Sequence, residues 1–171
     1  PTATNDKFTL IGDTIFRACF IDSVQGPMMA KFAAETKGYT KAAIVYAKDQ
    51  DYCNGLKEAI DAYWNEKGLE VVAIEECVST DIDYTAQASK VVASGAEVCF
   101  YPNYLDTVPT FVATLRNAGF TGAIVGGDGW DGSDTTGKEA LFNNTYYTNH
   151  YAPEDPNPLT QAYVAAFTAK Y

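Results

Sequence analysis

A chain of 171 residues, 47% of them hydrophobic, is long enough for one globular unit with a core of its own. Its formal charge of -10 and pI near 4.4 argue against nucleic acid or an anionic membrane as partner, because such a surface repels phosphate and the 12 Lys and Arg form no basic cluster. No apolar run approaches the roughly 20 residues needed to cross a bilayer.

Pro1 to Thr14 is polar and irregular, and Ile15 to Phe20 has the apolar and β-branched content of an entering strand. Met29, Phe32 and Ala33 recur at helical spacing within Gln25 to Lys37, and Ala42 to Ala47 is a short, fully apolar strand of the kind parallel sheets bury on both faces. Cys53 to Lys67 reads as a helix with Leu56, Ala59, Ile60, Tyr63 and Trp64 as its stripe and Gly68 as its C-terminal cap. Glu70 to Glu75 is the next strand. Asp83 is an N-cap candidate for a helix buried through Ala88, Val91 and Val92, which ends at Gly95 before the strand Glu97 to Tyr101. A helix marked by Val108, Phe111, Val112 and Leu115 stops at Gly119, and Ala123 to Val125 is a strand running into Gly126 and Gly127. A short helix near Gly137 to Phe142, a strand near Thr145 to Tyr151, a proline-rich stretch and a last helix, Leu159 to Tyr171, follow. Strands alternating with helices of about three turns imply an α/β fold, a doubly wound parallel sheet of Rossmann-like or flavodoxin-like type, with strand order 2-1-3-4-5 counted from Ala42.

That order makes neighbours of the strands that end before Tyr52, Tyr104 and Asp128, so these side chains are expected on one rim at the carboxyl edge, the usual ligand position in open α/β folds. Asp128 lies in Gly126-Gly127-Asp128-Gly129-Trp130, where the glycines permit unusual dihedrals and leave the carboxylate free to receive an ammonium group; a turn aspartate capping its own loop has the same local pattern. Tyr52 and Tyr104 offer hydroxyls and rings, although most of the 12 Tyr must be structural. Trp130 is either a wall of the same pocket or a packing anchor. The rim has no obvious nucleophile, which suits a grip better than a catalyst. Gly126 to Gly132 has no GxGxxG pattern for a phosphate cradle. Asp49, Asp51 and Asp128 echo the magnesium pocket of receiver domains, without a lysine to complete it.

Cys19, Cys53, Cys77 and Cys99 are too widely spread for a CxxC metal site and read as reduced, Cys99 as a buried strand residue. His150 is the sole histidine, which removes the commonest zinc ligand and general base from most schemes; it reads as a surface or packing residue near a strand end. No metal and no cofactor is expected. Asn143-Asn144-Thr145 matches a glycosylation sequon, a pattern too short to carry weight.

Four segments together resemble the substrate-binding proteins of ABC transporters for branched-chain and related amino acids, the type I periplasmic binding proteins. They are Phe16-Arg17 with Asp22-Ser23-Val24-Gln25-Gly26, Ile44 to Leu56 with its Asp51-Tyr52 and Asn54-Gly55-Leu56, Val98 to Phe120 ending in Leu115-Arg116-Asn117-Ala118-Gly119, and Gly126 to Trp130. Such proteins have two lobes, and this chain resembles the second: residues 1–14 a crossing segment from a missing first lobe, residues 15–171 one α/β ligand-binding lobe, with Leu159 to Tyr171 similar to the helix before the chain crosses back. A start at Pro1 in place of Met is that of a processed or trimmed product. The resemblance implies that Tyr52, Tyr104 and Asp128 contact the ligand, with Asp128 on the ammonium where several relatives use the longer Glu. It implies an amino-acid ligand, a first lobe holding its carboxylate, ABC permease subunits as partners, and a periplasmic or extracellular location, a lipid anchor on the full-length precursor included. The uncovered cleft face is a surface for self-association. The same fold serves ligand-sensing domains of receptors or regulators, the alternative reading; an enzyme is disfavoured because there is no nucleophile elbow and no His near a Ser or Cys. Which amino acid binds is left open by the sequence.

Overall fold

The computed structural model describes residues 3–171. Five parallel strands, β1 (Lys41–Ala47), β2 (Glu70–Cys77), β3 (Val98–Phe100), β4 (Ala123–Gly126) and β5 (Thr145–Tyr147), lie in the order β2-β1-β3-β4-β5, as the alternation predicts. The register sets Ala42 beside both Val71 and Val98, Val98 beside Ala123, and Ile124 beside Thr145. Central β3 and β4 are buried at every residue, and the edge strand β2 exposes Glu70, Ile74 and Glu76, the burial expected of a sheet covered on both faces in its middle.

Helix α1 (Asp22–Lys31) precedes β1, helices α2 (Asp51–Glu66), α3 (Thr85–Ala93) and α4 (Val108–Asn117) connect successive strands from β1 to β4, and α5 (Pro158–Lys170) follows β5. The α2 stripe falls on Tyr52, Cys53, Leu56, Ile60 and Trp64, with Ala59 and Tyr63 at its margins. Gly68 closes α2 at φ +68, and the Leu69 amide donates back to the Trp64 carbonyl at 3.0 Å. Gly26 lets α1 lie close on α2, since a Cβ there would stand 2.6 Å from Ala59 Cβ. The four cysteines are free thiols, Cys53, Cys77 and Cys99 buried.

Two elements differ from expectation. Ile15 to Phe20 is no strand: Phe16 is 75% exposed, and the segment is held by a side chain in place of a backbone ladder. The Arg17 guanidinium donates to the carbonyls of Ala3, Thr4, Asn5 and Asp6 and to Thr9 Oγ1 at 2.8–3.2 Å, so apolar composition imitated a strand that has no neighbour to pair with. The Thr145 strand stops at Tyr147 because its partner β4 stops at Gly126; Thr148 makes one more bond to the Gly126 carbonyl and the chain then leaves the sheet. Helix α5 buries none of its residues and exposes Leu159, Tyr163 and Phe167.

Candidate functional site

The carboxyl ends of β1, β3 and β4 open onto a cleft of about 1460 Å³, whose other wall is the Arg17-held segment Ala3 to Phe8. Tyr52 enters from the first turn of α2, Tyr104 from the loop after β3, and Asp128 from the loop after β4; all three line this cleft. Tyr52, 8% exposed, donates its hydroxyl to Asp128 Oδ1 at 2.9 Å and accepts the Gly129 amide at 3.0 Å. Burial, then the Asp128 charge, push the Tyr52 phenol far above its ordinary range, so it is a fixed donor to the carboxylate. Tyr104, 41% exposed, lies over it with ring centroids 4.9 Å apart and a tilt of 30°.

The glycines around Asp128 act through space rather than through dihedrals. Gly126, Gly127 and Gly129 are absent from the positive-φ residues. A Cβ on Gly127 would strike the Tyr52 hydroxyl and stand 2.9 Å from Leu56 Cδ1, and one on Gly129 would stand 3.0 Å from the Asn103 carbonyl. The loop is thus pressed against α2 tightly enough for Tyr52 to reach the acid.

Trp130 is elsewhere. It is 3% exposed, lies under the loop against Gly126, donates its indole N–H to the Tyr101 carbonyl at 2.9 Å, and is absent from the cleft lining. Its place is that of the packing anchor. Asp49, another acid at a strand end, is consumed by the Ser79 amide and hydroxyl at 2.8 and 2.6 Å.

Three residues near the acid had no part in the strand-end argument, His150 in the cleft lining and Gln25 and Asp22 buried outside it. Gln25, buried in α1, donates Nε2 to Asp128 Oδ1 at 2.9 Å, so that one oxygen receives two donors. His150 Nε2 stands 3.2 Å from Asp128 Oδ2, with its ring stacked on Phe20 at 4.3 Å; it is the exposed packing residue expected there and is also a partner of the acid. Asp22 is buried at the start of α1, and among the described residues neither of its carboxylate oxygens has a hydrogen-bond partner. The run Asp22 to Gly26 was the visible signal for two of these, and nothing adjacent in sequence pointed to His150.

Burial, reinforced by Asp128 and Asp6, raises the Asp22 carboxyl to about 6. Below about pH 4 it is protonated whether the chain is folded or not; between about 4 and 6 the unfolded form ionises first, so stability falls as pH rises, and above that the penalty is constant. Asp22→Asn should therefore match the wild type near pH 3.5 and exceed it by about 3 kcal/mol at pH 7, read from urea midpoints at both pH values. Equal stability at pH 7 would show that Asp22 ionises in the fold without cost.

The carboxylate of Asp128 is thus held at a cleft lip by the donors Tyr52 and Gln25 on one oxygen, chemistry that is compatible with a cation at the other. The family profile described as periplasmic binding protein matches residues 2–171. A Leu/Ile/Val-binding protein homologue of Brucella melitensis is 28% identical over 99% of this chain and 46% of its own length. Among solved structures, the leucine binding protein LivK of Thermotoga maritima superposes with TM-score 0.75 at 28% identity, over 91% of this chain and 45% of that one. The branched-chain amino acid transporter substrate binding protein LivJ of Streptococcus pneumoniae does so with TM-score 0.81 at 25% identity, over 98% and 48%. This chain spans about half the length of the relatives it matches. Its parallel sheet, its strand-end cleft and a profile match running the length of the chain agree: the chain belongs to the periplasmic binding protein family.

Proposed function

We propose that this chain is one lobe of an extracytoplasmic amino-acid-binding protein and that its cleft lip grips the ammonium end of an aliphatic α-amino acid. The observation that carries this reading is the double donation of Tyr52 and Gln25 to one oxygen of Asp128, which aims the carboxylate without neutralising it. Tyr104 supplies an exposed ring for the ligand's apolar part. The relatives supply the ligand class: binding proteins for leucine, isoleucine and valine by name, one of them solved in complex with isoleucine. In the complete protein a further lobe closes on the ligand carboxylate, hinge motion seals the cleft, and the closed form hands its cargo to an ABC permease. The names of the relatives are those of binding proteins, which favours transport over a sensing domain. Gripping needs no covalent step: burial raises the Cys53 and Cys77 thiols to about 12, and His150 is engaged by an acid rather than by a hydroxyl or thiol.

Half a cleft cannot bury most of a ligand, so L-isoleucine should bind this chain with a dissociation constant of about a millimolar or weaker. Asp128→Asn should weaken it at least about tenfold, the loss of one charge-assisted contact. Titration followed on the Tyr52 and Tyr104 ring signals by NMR checks both. Equal binding by Asp128→Asn, or no response up to the solubility of isoleucine, would refute the reading.

A further inference from the structure

Asp128 Oδ1 carries two donors, and Oδ2 has one partner, the imidazole of His150. That imidazole is held on one face by Phe20 and is 36% exposed in its side chain, so it reaches the acid from the cleft side. An incoming ammonium needs the same oxygen. We infer that His150 is the resident partner of Asp128 Oδ2, seated on the ammonium position while the cleft is empty and displaced from it by an ammonium ligand. The inference rests on the proposed ammonium grip and adds a residue to it.

An ammonium that takes Oδ2 has to displace the imidazole, whose remaining hold is its stacking on Phe20. The imidazole therefore competes with the ligand for one oxygen, and its removal should raise affinity. Other ionisable groups face this spot. Asp22 comes from α1 with Asp6 and Arg17 behind it, Tyr52 from α2, and Asp131, with the Tyr147 phenol on it, from beyond the loop. Asp22 also changes charge near pH 6, so its effect is removed by comparing proteins that both retain it.

His150 is the only histidine, so its Hε1 proton gives one assignable NMR signal. In wild-type chain at fixed pH 6.5, L-isoleucine should move that signal as the ring leaves the acid, and in Asp128→Asn it should not. His150→Ala should bind isoleucine about fivefold more tightly than the wild type at that pH, the release of one hydrogen bond that the ligand otherwise has to break. If isoleucine shifts the Tyr52 and Tyr104 signals while Hε1 stays still, or if His150→Ala binds no more tightly, the displacement is wrong and the grip stands. If no signal moves, the grip itself fails and takes the displacement with it.

Discussion

Gly126→Ala is expected to lower the unfolding free energy by about 3 kcal/mol, read as a shift in urea midpoint at unchanged slope. The added methyl would fall inside the Trp130 indole, against Cε2, Cδ2 and Nε1. The indole has no retreat, because its N–H is bonded to the Tyr101 carbonyl at 2.9 Å and its ring lies between Tyr101 and Tyr147, centroids 6.4 and 6.5 Å away. Either the strand end or the tryptophan must move, and the penalty joins overpacking to a broken buried hydrogen bond. Trp130→Leu in the same chain should return part of the loss, since the smaller side chain makes room for the methyl. The Asp128 loop starts at this glycine, so isoleucine binding should weaken along with stability. A loss below about 1 kcal/mol would show that the loop absorbs the methyl freely.

Arg116→Met should cost a similar amount, about 3 kcal/mol, by stranding carbonyls that one guanidinium now satisfies. Its Nε donates to the Leu141 carbonyl, one terminal nitrogen to Phe120 and Gly122 at 2.9 and 2.7 Å, and the other to Asn143 and Asn144. Partial burial lowers the Arg116 pKa, yet a guanidinium keeps its charge in proteins. Asn144 is held at φ 58, and its carbonyl also accepts the first amide bond of β4 beside β5. Loss of the guanidinium should free β5, so amide exchange at Tyr146 and Tyr147 should accelerate more than at Val98 to Phe100. Arg116→Lys should recover less than half of the stability, because an ammonium cannot fork across carbonyls on two sides. Uniform acceleration across the sheet would mean that Arg116 supports the whole fold rather than its edge.

Much of the fold was readable because parallel strands buried on both faces must be continuously apolar, as Ala42 to Ala47 and Ala123 to Val125 are. The same rule misread Ile15 to Phe20, where apolar residues run without a partner strand and Arg17 supplies the anchoring. At the cleft, Tyr52, Tyr104 and Asp128 were reached by a topological argument that needs only strand ends and their order. Gln25 and His150 escaped it, since one leaves the opening of a helix and the other a segment past the sheet edge, with a sequence separation of 103 between Gln25 and the acid it touches.

The amino-acid sequence by itself determined the alternation of strand and helix, the order of the sheet and the residues offered at its carboxyl edge, because periodicity and turn chemistry are local properties. Tertiary structure alone decided which atoms meet there. It sent Trp130 beneath the loop, set Gln25 and Tyr52 on one oxygen of Asp128 and His150 near the other, and left the buried Asp22 carboxylate without a hydrogen-bond partner among the described residues. Each of those outcomes depends on how closely α1, α2 and the β4 loop approach, a distance set by glycine contacts across the chain and by no pattern along it.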